Sequence, residues 1–118
     1  VSFGFKHGLP MEADLVFDVR FMPNPFYIDA MREKTGLDRE VRDYVFSFQE
    51  TEQFMEKLRE LLGFVLPLYR EEGKTVLVVA VGCTGGRHRS VAVTHALAGY
   101  VTSLGYQVTE NHRDMMRT

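Results

Sequence analysis

The feature that most restricts how this chain can fold is a junction in its C-terminal third. An unbroken apolar run, Val76-Leu77-Val78-Val79-Ala80-Val81, leads into Gly82-Cys83-Thr84-Gly85-Gly86-Arg87-His88-Arg89-Ser90, and a helix-periodic segment follows from Val91. A strand that is apolar on both faces belongs in the middle of a parallel or mixed sheet. A strand, a glycine-rich turn and a helix N-terminus together outline an anion site. Backbone N–H groups converge there, the helix dipole adds partial positive charge, and glycines permit close backbone approach. Arg87, His88 and Arg89 sit inside the same turn, so the expected guest is a phosphate.

The rest of the chain arranges itself around this unit. Residues 2–6 alternate Phe3 and Phe5 with small or polar neighbours and read as a short strand. Residues 15–19 read as a second strand ending at Asp18, with Arg20 just beyond. Pro23-Asn24-Pro25 must be extended or turned, because a residue before proline avoids the α region. Residues 37–48 have helical spacing, with Asp38 as N-cap. A longer helix over 51–72 carries Phe54, Leu58, Leu61, Leu62, Val65 and Tyr69 on one stripe. Pro67 should kink or loosen its last turns, and Gly73 ends it. The strand over 75–82 follows, then the loop, then a helix over 89–104 with Val93, Leu97, Val101 and Leu104 on its core face. Gly105 is a natural residue to end that helix. Residues 106–112 alternate as a last strand. The order β-β-α-α-β-α-β predicts an α/β fold: a mixed, largely parallel sheet flanked by helices, with the glycine-rich loop at a strand-to-helix junction. Open α/β sheets bind ligands at the C-terminal ends of their strands. Asp18, Arg20 and the loop should therefore share one rim.

Composition sets limits on function. At 118 residues, 45% hydrophobic and 25% charged, the chain reads as one ordinary globular domain. No apolar run approaches the roughly 18 residues of a membrane helix, so no membrane partner is expected. A single Cys fits a reducing cytoplasm. Residues 1–81 carry 10 Lys/Arg against 14 Asp/Glu, and residues 82–118 carry 4 against 2, so the basic excess lies beside the loop. That tilt favours an anionic ligand but falls short of the strongly basic face of a nucleic-acid binder. The first residue is Val1, which reads as a piece of a longer protein.

Several residues could carry chemistry. Cys83 and Arg89 stand in a Cys-x5-Arg arrangement, the spacing used by cysteine-dependent phosphatases, and a helix N-terminus with a nearby guanidinium would activate the thiol. Gly82 occupies the place where that pattern usually has His, and only Asp18 or Asp29 could serve as general acid. Arg87 and Arg89 could fork phosphate oxygens; Arg87 could equally face solvent. Asp18 and Arg20 project to one face, as a rim salt bridge or as a hydroxyl acceptor and second phosphate clamp. His112 and Arg113 end the last predicted strand at the same rim, as ligand contacts or as a solvated terminus. His95 should be structural. The histidines lack H-x3-H or H-E-x-x-H spacing, so no metal site is expected. No G-x4-G-K-[ST] motif occurs, so no P-loop nucleotide chemistry is expected from this chain. The stretch from Phe21 to Tyr27 could offer a stacking surface or simply core.

The loop motif, together with Ser2-Phe3-Gly4-Phe5-Lys6, Asp18-Val19-Arg20-Phe21-Met22-Pro23-Asn24-Pro25 and Thr35-Gly36-Leu37-Asp38, resembles the RapZ/YvcJ family of bacterial proteins over essentially all 118 residues. The match is to the family's C-terminal domain. The resemblance implies an N-terminal Walker-type domain elsewhere in the full protein, binding ATP or GTP, with no cofactor in this domain. It implies homo-oligomers, and in one branch an adapter that presents small RNA to an endoribonuclease and senses glucosamine-6-phosphate. Carried over, the phosphosugar site would use Cys83, Thr84, Gly85, Gly86, Arg87, His88, Arg89 and Ser90 around the phosphate. Asp18 and Arg20 would meet the sugar, with Asn24 in the matching loop. Two departures stand out. Phe26 replaces a His of some members, and the chain ends Arg113-Asp114-Met115-Met116-Arg117-Thr118 in place of a Lys/Arg-rich tail. Phosphate contacts dominate RNA affinity, so RNA binding should be weak or absent here. The expected function is a regulatory, non-catalytic domain that reads a phosphorylated amino sugar or similar metabolite, with Cys83-dependent phosphatase chemistry as the alternative.

Overall fold

A computed structural model describes residues 1–117. Among them are three strands, β1 (Ser2–Gly4), β2 (Leu15–Asp18) and β3 (Val79–Cys83), and four α-helices, α1 (Asp29–Arg32), α2 (Arg39–Phe46), α3 (Gln49–Glu71) and α4 (Arg89–Ser103). Short 3₁₀ turns at Phe5–His7 and Pro25–Tyr27 complete the order. The sheet runs β1-β3-β2 and both ladders are parallel. The fold is α/β, with the apolar strand at the centre as its two-sided hydrophobicity requires. Gly4 pairs with Cys83 and Asp18 with Gly82, so all three strands end at one rim.

The sheet is smaller than the periodicity predicts, for reasons visible in its hydrogen bonds. β3 begins at Val79 rather than residue 75, because β2 reaches back only to Val79 and β1 only to Val81. Before that point Val78 N donates to the Asp14 carboxylate at 2.7 Å, a side-chain substitute for a ladder partner. The strand expected over 106–112 is absent as a strand and survives as one parallel bridge, Ser2 to His112. Ser2 N donates to Asn111 O and Arg113 N to Ser2 O. The next donor along β1, Gly4 N, is taken by the Asp114 carboxylate at 2.8 Å, and the pairing stops there.

The helices are displaced by one or two residues from their expected bounds, and α1 is an addition. Asp38 does stand at the N-cap position of α2, but its carboxylate turns back to accept from Thr35 N at 2.8 Å and does not cap the helix. α3 continues through Pro67 to Glu71. Its buried residues are Thr51, Met55, Leu58, Leu62 and Leu66, so Leu61 faces outward, contrary to the expected stripe. Leu104 is also exposed, just beyond the end of α4. Gly73 and Gly105 follow α3 and α4 with φ of +99° and +95°, the left-handed ending expected of them. The core joins Val19, Met22, Val41, Val45, Met55, Leu62, Val81, Val93 and Leu97 between the sheet and α2–α4.

Candidate functional site

The junction of β3 and α4 is where chemistry-bearing residues meet. The first six residues of α4, from Arg89 through Thr94, are all buried. Among the described residues, none of the backbone N–H groups of residues 84–91 donates to a protein acceptor. A run of unpaired amides at the N-terminus of a 15-residue helix is the electrostatic outline of an anion cradle. Arg89 adds a second signal. Its guanidinium is buried, donates from one terminal nitrogen to Arg20 O at 2.7 Å and Met22 O at 3.0 Å, and leaves Nε buried without a partner. Its other terminal nitrogen lies 3.5 Å from Thr84 Oγ1. No carboxylate pairs with Arg89 among the described residues.

The neighbouring side chains are directed elsewhere. Arg87 donates to Lys34 O at 3.0 Å, to Glu33 O and to Met115 O. His88 is buried, with Nε2 at 3.1 Å from Met31 O and 3.2 Å from Arg32 O. Burial pushes its imidazole below the ordinary value, and the two carbonyls only partly oppose that. Arg87, His88 and Arg89 thus clamp both ends of the segment from Arg20 to Lys34 through its carbonyl oxygens. The short helix α1 cannot satisfy its own last carbonyls, and these side chains do so for it.

Cys83 is buried and its thiol donates to Ser90 Oγ at 3.1 Å. Thr84 is exposed, while Gly85 and Gly86 form the crossing described below. Asp18 and Arg20 are at the rim and pair with each other, Nη2 to Oδ2 at 2.7 Å, with the guanidinium 4.0 Å above the Phe5 ring. That guanidinium is the main reason the Asp18 carboxyl lies below its usual range. Asn24 caps the Pro25–Tyr27 turn by accepting from Phe26 N at 3.1 Å. His112 bonds Ser2 Oγ at 2.8 Å and Glu110 at 2.7 Å, away from the loop. Arg113 pairs with Asp114 and donates to Gly8 O at 2.6 Å. The fold therefore brings together Cys83 to Ser90 with Asp18 and Arg20, and sets His112 and Arg113 on the outer side of β1. No group of three His, Cys, Asp or Glu among the described residues is placed to hold a metal ion.

A family model described as the RapZ C-terminal domain matches residues 1–116. The chain belongs to this family. It is 58% identical over 115 residues to a nucleotide-binding protein of Acetivibrio thermocellus, covering 98% of this chain and 40% of that protein. It is also 58% identical over 117 residues to nucleotide-binding proteins of Geobacillus thermodenitrificans and of Listeria monocytogenes serotype 4a, covering 99% of this chain in both. The chain spans about 40% of the length of these curated relatives. No helix among the described residues is long and apolar enough to cross a membrane.

Three residues of this RapZ C-terminal domain that the sequence did not single out as site residues, Asp114, Gly4 and Lys6, matter to the loop. Asp114 is fully buried and accepts from Gly4 N, from Arg113 at 2.8 Å and from Arg117 at 2.9 Å. Burial alone would raise its carboxyl, but Arg113, the Gly4 N–H and Arg117 outweigh that and hold it well below the usual carboxylate range. Asp114 thereby fixes the end of β1 where Gly4 crosses the loop. A Cβ on Gly4 would lie 2.4 Å from Gly85 C, and Gly86, at φ +82°, leaves no more room. Lys6 then follows, its N–H donating to Thr84 O at 3.2 Å and its side chain reaching Gly85. Arg113 and Arg117 are local partners of Asp114, but the Gly4 N–H that ties it to the loop is 110 residues away in sequence, so its role has no local signature.

Proposed function

We propose that this domain is a regulatory, non-catalytic sensor that binds a phosphorylated amino sugar or a similar phosphate-bearing metabolite at the β3–α4 junction. The observation that carries the reading is the run of unpaired amides over residues 84–91, with the unpartnered buried Nε of Arg89 beside it. Those donors and the Lys6 ammonium are available to phosphate oxygens, while the carbonyl contacts of Arg87 and His88 hold the loop in shape. Asp18 and Arg20 at the same rim would meet the sugar hydroxyls. The buried Cys83 thiol, engaged with Ser90, favours binding over attack on phosphorus. Nucleotide binding, named for the relatives, would then reside in the larger part of the polypeptide that this chain does not match, in the reducing cytoplasm.

Calorimetry of the chain against glucosamine-6-phosphate, a UDP-aminosugar and inorganic phosphate tests this. Glucosamine-6-phosphate is expected to bind more tightly than phosphate, and Arg89→Lys to weaken it by about tenfold or more. Equal binding of all three would overturn the amino-sugar reading, and no binding of any would overturn the anion site. Phosphate release from a phosphomonoester that disappears in Cys83→Ser would overturn the non-catalytic reading.

A further inference from the structure

At the end of the sheet away from the glycine loop, a cavity of about 730 Å³ lies between two stretches of chain. One is Val76–Val79, which leads into β3; the other is residues 106–111, which lead to the bridge between Ser2 and His112. Leu62 and Leu66 of α3 and Leu97 and Val101 of α4 complete the lining, with Val1 beside them. β1 bonds to both stretches in alternation. On the β3 side Val81 N donates to Val1 O at 2.9 Å and Val1 N to Val79 O at 2.8 Å. On the other side Ser2 N donates to Asn111 O at 2.9 Å and Arg113 N to Ser2 O at 3.0 Å. One step further back the alternation finds no strand to meet. The Val79 N–H and Leu77 C=O on one wall, and the Asn111 N–H and Thr109 C=O on the other, have no protein partner among the described residues. Val76 is left 69% exposed and Val108 36%.

We infer that this cavity is a strand slot, filled by the residues that precede Val1 in the full-length polypeptide and continue β1 backwards between the two walls. This chain covers 40% of the Acetivibrio thermocellus relative, so such proteins hold polypeptide beyond the matched part. The ladder sets the register. The residue before Val1 donates to Thr109 O and accepts from Asn111 N–H, and the second before Val1 donates to Leu77 O and accepts from Val79 N–H. Ser2 lies opposite Val81, so the first residue before Val1 falls opposite Val79 and the third opposite Leu77. Val79 and Leu77 pack against the core. Alternation turns those two incoming side chains the same way, into the cavity among Leu62, Leu66 and Leu97, so both are apolar. Three residues span about 10 Å, the stretch from Val79 back to Leu77. A free apolar molecule would leave both rows of backbone groups unpaired, and a strand from another molecule would have to abut Val1 end to end. With the slot filled, residues 106–112 join the sheet as its fourth strand. β1 then runs unbroken to Gly4 at the glycine loop, and joins that loop rigidly to the preceding polypeptide.

Amide hydrogen exchange of the chain carrying the natural stretch that precedes Val1 reads this directly. The amides of Val79, Thr109 and Asn111 should exchange about 100-fold or more slowly than free peptide amides. Replacing the residue before Val1 by proline removes the donor to Thr109 O, and should restore fast exchange at Thr109 and Asn111 while Val93 and Leu97 stay protected. Replacing the same residue by aspartate puts a charge in the cavity, and should lower the melting temperature by about 5 °C or more. Fast exchange of Val79 and Asn111 in the extended chain would overturn the inference, as would a melting temperature indifferent to the aspartate. Slow exchange that survives the proline would overturn the register.

Discussion

Asp114 shows how a single side chain can govern a site it does not enter. Its carboxylate is fully buried and is matched by two guanidinium groups and the Gly4 N–H. Removing its charge leaves Arg113 facing a neutral group and frees the end of β1 from the loop. Asp114→Asn is expected to cost about 3 kcal/mol in urea unfolding. The pH dependence follows from the lowered carboxyl. Between its folded value and the ordinary 3.8 the unfolded chain binds more protons, so this contribution is intact above that range and is lost as the pH falls through it. The acid limb of the wild-type stability curve should therefore be steeper than that of Asp114→Asn. An identical slope in the two proteins would refute the assignment.

At the scale of elements, the glycine loop between β3 and α4 is set by how closely two backbones cross. Gly4 and Gly86 meet where no Cβ fits, and a Cβ on Gly36, beside the first turn of α4, would lie 2.3 Å from His88 O. Gly4→Ala is expected to destabilise by about 2–3 kcal/mol through overpacking against backbone. Gly99, inside α4, faces open space, and Gly99→Ala should stabilise by about 0.5–1 kcal/mol through lower chain entropy and better helix propensity. Thermal melts of the two variants should move in opposite directions. The elements around these crossings were largely legible in the sequence: β2, α3, β3 and α4 follow from apolar periods, and the loop from its glycines. α1 escaped, because four residues carry too little periodicity to be read. The last strand was read but barely forms, because its alternating residues meet an edge only three residues long. The direction of Arg87 and His88 was equally hidden, since the carbonyls of residues 31–34 that accept from them are more than 50 residues away.

For the whole molecule, one parallel sheet orders both the glycine loop and the C-terminal segment that pins β1 beside it. The basic excess of the last third of the chain is gathered around β3, α4 and the C-terminal segment that pins β1. An anion bound there links to global stability, because the cradle exists only when β1, β3 and α4 are assembled. A ligand at 100 times its dissociation constant should add about 2.7 kcal/mol, raising the melting temperature by roughly 8–15 °C for a domain of this size. Glucosamine-6-phosphate should give that shift in differential scanning fluorimetry, with Arg89→Lys losing most of it. An unchanged melting temperature at millimolar ligand would count against the site.

The sequence by itself determined the α/β class, the central strand and the position of the glycine loop, because apolar period and glycine placement are local properties of a chain. It also supplied the family. Only the tertiary structure decided which cations are committed to carbonyl oxygens and which donors are left for a ligand. Hydrogen-bond satisfaction depends on groups that folding brings together from distant parts of the chain. The same holds for Asp114, whose burial and partners are settled by packing.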